Sequence, residues 1–150
     1  MRHRLAAILA IGSAATLGGC VKPDPLTMTN AWVRLAAVPG RPAAGYFTLH
    51  GGKTAQTVIA ANSDVSLRAE MHASMTGAGN MATMTPLASV PLPAGTDVTF
   101  APGGRHVMLF GVNRAVKPGD RVTLTVTLAN GARIGARGIV VAAGAPAPEF

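Results

Sequence analysis

The sequence predicts an all-β domain, a sandwich of about eight or nine short strands. Three observations carry that reading. The 150 residues include 18 Gly and 11 Pro, which break the chain into short segments with turns between them. Residues 121–129 alternate, with Val122, Leu124, Val126 and Leu128 on one face and Arg121, Thr123, Thr125 and Thr127 on the other. No stretch beyond residue 20 keeps the apolar period of an amphipathic helix.

The first segment is expected to be removed rather than folded. Arg2, His3 and Arg4 form a basic head, and the small and apolar run from Leu5 to Gly19 follows. A membrane-spanning helix needs about 20 such residues, so the run is too short to span and reads as an export signal over residues 1–19. It ends in Leu17-Gly18-Gly19-Cys20, which resembles the bacterial lipobox, where the Cys is lipidated and becomes the mature N-terminus. Cys20 is the one cysteine of the chain, which excludes a disulfide framework and a Cys-rich zinc site. Residues 20–26 are then the lipidated Cys and its tether, residues 27–142 the folded domain, and residues 143–150 a loose tail.

The strands follow in order. Residues 27–35 centre on Trp32 and Val33, and residues 43–50 are apolar around Tyr46 and Phe47. Residues 56–60 and 65–72 are expected strands separated by the turn-like Ala61-Asn62-Ser63-Asp64. A strand over residues 81–90 follows. Residues 97–101 make a short one, bounded by Pro93-Ala94-Gly95 and Pro102-Gly103-Gly104. Residues 106–112 form a continuous apolar run. Asn130-Gly131 is a hairpin turn between the alternating strand and its return over residues 133–142.

Charge narrows the function classes. Lys+Arg is 13 against 6 Asp+Glu, a formal +7, but the basic residues are scattered and lack interleaved aromatics. Nucleic acid binding therefore has no support. The few carboxylates are dispersed, and neither a Ser-His-Asp order nor a phosphate-binding glycine loop stands out, so the expectation is a protein that is not an enzyme. Arg34 and Arg105 read either as solvated charge or as guides for an acidic partner. Arg105, next to His106, is the better candidate for the second role.

Methionine and histidine carry the functional signal. Met71, Met75, Met81, Met84 and Met108 fall between residues 71 and 108, together with His72 and His106. His106 and Met108, two apart on a strand, share one face at roughly 7 Å between Cα atoms. The Gly-bearing segment 73–80 would fold the strand ending in His72 back onto the one holding Met84, so His72, Met84, His106 and Met108 can meet near one end of a sandwich. Thioethers are poor ligands for Zn²⁺, Ca²⁺ or Mg²⁺ and suit Cu(I), as imidazole also does. A blue-copper centre would need a thiolate, and Cys20 sits at the tether. Met71 must face away from His72 and reads as core; Met28 and His50 also read as structural. Met75 is either a loop residue or an auxiliary ligand.

The spacing His72-Ala73, ten residues, Met84, twenty-one residues, His106-Val107-Met108 resembles the motif of the PCuAC-type periplasmic copper chaperones. Ala31-Trp32-Val33-Arg34, Ala44-Gly45-Tyr46-Phe47, Leu92-Pro93-Ala94-Gly95, Pro102-Gly103-Gly104 and Gly119-Asp120 are similar too, so the likeness runs over about residues 26–142. The resemblance implies a cupredoxin-like (immunoglobulin-like) β-sandwich that binds Cu(I) through His72, Met84, His106 and Met108. It makes Met81 a reserve ligand, while Ala73 replaces the motif's first Met. It further implies copper carriage in the bacterial periplasm and delivery to an acceptor such as a Sco-type protein or the copper subunit of cytochrome c oxidase. The tail lacks His and Met, so the second copper site of some members has no counterpart. The alternative is a structural or interaction sandwich without a metal.

Overall fold

The computed structural model describes residues 25–76 and 82–150. The expected leader, Cys20 and Met81 lie outside the described residues. Ten strands follow one another: β1 (Thr27–Arg34), β2 (Ala43–His50), β3 (Gln56–Ser63), β4 (Arg68–Thr76), β5 (Ala82–Pro86), β6 (Val90–Leu92), β7 (Asp97–Phe100), β8 (Arg105–Phe110), β9 (Arg121–Leu128) and β10 (Arg133–Val141). The all-β class stands, and several boundaries differ from expectation. The strand expected over residues 65–72 runs from Arg68 to Thr76, because residues 73–76, expected in the connecting segment, pair with residues 82–85 of β5. Residues 61–63 continue β3 instead of turning, because Ala61, Asn62 and Ser63 pair with Val126, Thr125 and Leu124 of β9. The expected strand over residues 81–90 is two. The Leu87 amide donates to the Met71 carbonyl at 2.8 Å and ends the pairing with β4, after which β6 pairs with β3.

Hydrogen bonding links the strands in the order β5-β4-β8-β2-β1-β10-β9-β3-β6, with β7 alongside β2. The two ends of that path, β5 and β6, are joined by only Leu87, Ala88 and Ser89. The sheet therefore turns back on itself and encloses its inner face. That face forms one core, with Phe47, Leu49, Phe100, Val107, Leu109, Leu124 and Val126 each at most 2% exposed. Phe47 and Phe100 stack at 4.5 Å between centroids and lock β7 onto β2.

The core fixes what points outward. Residues facing it on β4, β8 and β2 include Met71, Val107, Leu109, Ala43 and Phe47, and side chains alternate along a strand. Glu70, His72 and Ser74 on β4, His106 and Met108 on β8, and Ala44 and Tyr46 on β2 therefore share the outer face. On β1 a bulge between Thr29 and Trp32 shifts the alternation, with Asn30 in the left-handed region at φ 53°, a conformation asparagine tolerates. Val33 then faces the core while Trp32 and Arg34 join the outer face.

Candidate metal centre

Register brings the two histidines together. His72 and His106 are direct partners across the β4–β8 ladder, with ring centroids 6.0 Å apart and planes 26° from parallel. The next outward pair is Glu70 opposite Met108. On the other side of β4, Met84 lies opposite Ser74 and Pro86 opposite His72. His72, His106, Met108 and Met84 thus occupy one face of three adjacent strands. Diagonal neighbours in an antiparallel ladder lie about 7–8 Å apart, within reach of a methionine.

Burial distinguishes this face from ordinary sheet exterior. His72 is 9% exposed and His106 7%, and they are the buried polar or charged side chains of the described residues. Burying a polar group is unfavourable unless its hydrogen bonds are made. Here each ring makes one. His106 donates from Nδ1 to the Gly104 carbonyl at 3.1 Å. That carbonyl also accepts the Ser74 amide at 3.0 Å, so it ties β4 to the ring. Gly103, at φ 79°, makes the turn that presents it. His72 Nε2 stands 3.2 Å from Glu70 Oε2, and its Nδ1 is buried without a partner. The two rings therefore leave His72 Nδ1 and His106 Nε2 uncommitted.

Among the described residues no three His, Cys, Asp or Glu side chains group as a metal cage. A metal on this face must draw on thioethers as well as imidazoles, a donor set that fits Cu(I) and not a hard cation. The rings, each with one nitrogen tied to an oxygen and the other free, match what metal-bound histidines require.

The remaining expected residues separate. Met75 pairs with Thr83, one step out of phase with Met84, and so lies on the opposite side of the β4–β5 ladder. Met71 is core at 5% exposure, as expected. Arg105 pairs with Ala73 and falls on that opposite side as well, whereas Arg34, which pairs with Ala44 next to Met108, shares the site's face. Arg34 lies 4.9 Å over the Trp32 ring and 5.9 Å over Tyr46. Glu70 is the neighbour the sequence reading passed over. Its signal was available, since a residue two before a histidine on a strand shares its face.

The fold is that of known copper-domain structures. The chain superposes on the copper-bound PCuAC domain from PmoF2 with a TM-score of 0.62 at 18% identity, covering 81% of this chain and 98% of that one. It superposes on the solution structure of CuI-DR1885 from Deinococcus radiodurans with a TM-score of 0.61 at 27% identity, covering 81% of each. These likenesses define the class, an all-β cupredoxin-like domain of PCuAC architecture. Within it the chain belongs to the LpqE-like family, whose model, described as "Putative lipoprotein LpqE-like", matches residues 26–140. A Leifsonia xyli subsp. xyli protein, "Putative lipoprotein Lxx21020", is 28% identical over 108 residues, or 72% of this chain. The match covers 64% of that relative, so the chain spans just under two thirds of its length.

Proposed function

We propose that this protein is a metallochaperone of the bacterial cell envelope that binds one Cu(I) through His72, Met84, His106 and Met108 and hands it to an acceptor protein. The observation that carries the reading is the pair of buried histidines, opposed in register, each with one ring nitrogen free. The copper-bound and CuI titles of its structural neighbours support it. Lipidation of Cys20 would hold the domain at a membrane, a reading supported by the lipoprotein description of its family. Incorporation of labelled palmitate, lost in Cys20→Ala, tests that anchor.

The residues suit carriage rather than turnover. Neutral thioethers and imidazoles hold Cu(I) without a thiolate, which oxidises readily outside the cytoplasm. Met84 is 60% exposed while both histidines are buried. An incoming acceptor ligand would displace the Met84 thioether first, with the imidazoles retaining the ion until the exchange completes. The acceptor we infer is a Sco-type protein or the copper subunit of cytochrome c oxidase.

Titration of Cu(I) into the domain without Cys20, in competition with a chromophoric chelator, tests the reading. One equivalent bound, and lost in His106→Ala/Met108→Ala, is the expected result. Binding no stronger than that of the double variant would return these residues to an ordinary sandwich.

A further inference from the structure

We infer that Glu70 is a positioning residue for this site, and that the two histidines offer opposite ring nitrogens: His72 its Nδ1 and His106 its Nε2. The inference rests on the reading of both as Cu(I) ligands and goes beyond it.

An ionised carboxylate only accepts hydrogen bonds. With Glu70 Oε2 3.2 Å from His72 Nε2, the ring proton sits on Nε2 and the lone pair on Nδ1. That Nδ1 is buried without a partner. At His106 the same logic gives the other tautomer. The Gly104 carbonyl accepts from Nδ1, which leaves the lone pair on Nε2. Two histidines in register, 6.0 Å apart between centroids, are thus set in different tautomers by different partners, one a side chain and one the backbone.

Glu70 is itself held in place. Arg68, two residues before it on β4, pairs with its Oε1, and the Arg68 guanidinium lies 4.2 Å over the Phe110 ring. Arg68, Glu70 and His72 follow at every second position of one strand, opposite Phe110, Met108 and His106 on β8. The support runs from Phe110 through Arg68 and Glu70 to the imidazole. Along that chain the Arg68 side chain is 61% exposed, that of Glu70 37% and that of His72 11%, so the support leads from solvent to the buried ring. Partners of this kind fix ring orientation, and their loss typically lowers metal affinity about 10–100-fold.

The test is long-range ¹H–¹⁵N correlation of the imidazoles in the domain lacking Cys20, recorded without metal and with one equivalent of Cu(I). In the metal-free protein His72 is expected as the Nε2–H tautomer and His106 as the Nδ1–H tautomer. With Cu(I), His72 Nδ1 and His106 Nε2 should move while their protonated partners keep their protons. Glu70→Ala should mix the His72 tautomers and weaken Cu(I) binding about 10–100-fold. Glu70→Gln, whose amide oxygen still accepts, should restore the tautomer and most of the affinity. Coordination of His72 through Nε2 in the wild-type protein overturns the inference, as does a Glu70→Ala variant with unchanged tautomer and affinity. A His72 ring that does not respond to Cu(I) at either nitrogen overturns the ligand reading itself, a distinct result. The wild-type spectra decide the tautomers even if Glu70→Ala fails to fold.

Discussion

Three histidines lie in the described domain, and they are used in two ways. His50 sits where β1, β2 and β7 meet, with its side chain 37% exposed. Its Nδ1 donates to Asp97 Oδ1 at 2.8 Å, and its Nε2 accepts from the Thr29 hydroxyl at 2.7 Å. Both nitrogens are spent on bracing three strands. His72 and His106 are more buried, yet each spends one nitrogen and keeps the other free. A buried polar atom left without a partner costs about 1–3 kcal/mol. Under the proposed function, such an atom beside a second imidazole with a free nitrogen, on the face that Met84 and Met108 share, is a ligand held ready, whereas the satisfied His50 is part of the frame. Burial alone would rank these residues as better structural histidines than His50; the count of uncommitted nitrogens reverses that order.

Replacement by phenylalanine, which keeps a ring of similar size, tests the distinction most strongly. His72→Phe or His106→Phe should lower Cu(I) affinity at least about 100-fold, close to 3 kcal/mol. His50→Phe should leave it within about twofold, under 0.5 kcal/mol. Stability of the metal-free protein should rank the other way. His50→Phe loses two hydrogen bonds and should lower the unfolding free energy by about 1–2 kcal/mol in urea. His72→Phe removes an orphaned nitrogen while Glu70 keeps Arg68, and should be neutral or stabilising. Loss of copper in His50→Phe, or equal destabilisation by both variants, would break the comparison.

A smaller effect separates two methionines that burial cannot tell apart. Met84 is 60% exposed and Met75 61%. Register alone divides them, since Met84 opposes Ser74 on the histidine face and Met75 opposes Thr83 on the other. Met84→Ala should weaken Cu(I) binding about tenfold, or about 1.4 kcal/mol. Met75→Ala should not change it. Equal losses in the same chelator competition would mean that the hairpin twists enough for both faces to serve one ion.

Local pattern was enough for part of this architecture. The β9 alternation, the Asn130-Gly131 turn, and the His106 and Met108 pair two residues apart on an apolar strand all follow from spacing within a few residues. What escaped depends on partners far along the chain. Ala61-Asn62-Ser63 resembles a turn until β9 supplies hydrogen bonds for it. The division of residues 81–90 exists because β4 and β3, on different parts of the folded sheet, each claim one half. The side on which Met75 and Arg105 fall is a one-residue matter of register, and a slip of one reverses every side chain. Glu70 was legible by its spacing from His72, but its role depends on the Arg68 contact and the orphaned Nδ1, which are properties of the folded chain.

The smallest effect concerns a corner of the same face that holds no free donor pair. Trp32 and Tyr46 pack with ring centroids 4.4 Å apart under Arg34. Burial pushes the Tyr46 phenol above its ordinary value, and the Arg34 charge opposes that in part. The sign of the consequence is fixed. In the unfolded chain the phenol ionises near pH 10, while in the folded chain it holds its proton to higher pH. The stability tied to the neutral phenol is complete below about pH 10 and is lost as the pH rises from there through the folded value. Tyr46→Phe has no such proton. Wild type and variant should therefore run parallel in urea unfolding up to about pH 9, and wild type should lose stability relative to the variant above about pH 10. Cu(I) affinity at neutral pH should be the same in both, because this corner is braced by stacking and offers no imidazole or thioether. Parallel curves through pH 11 would show that the folded phenol titrates as it does in the unfolded chain, whereas a Tyr46→Phe variant with weakened copper would show that the aromatic corner and the histidine pair are one site rather than two neighbours on a sheet.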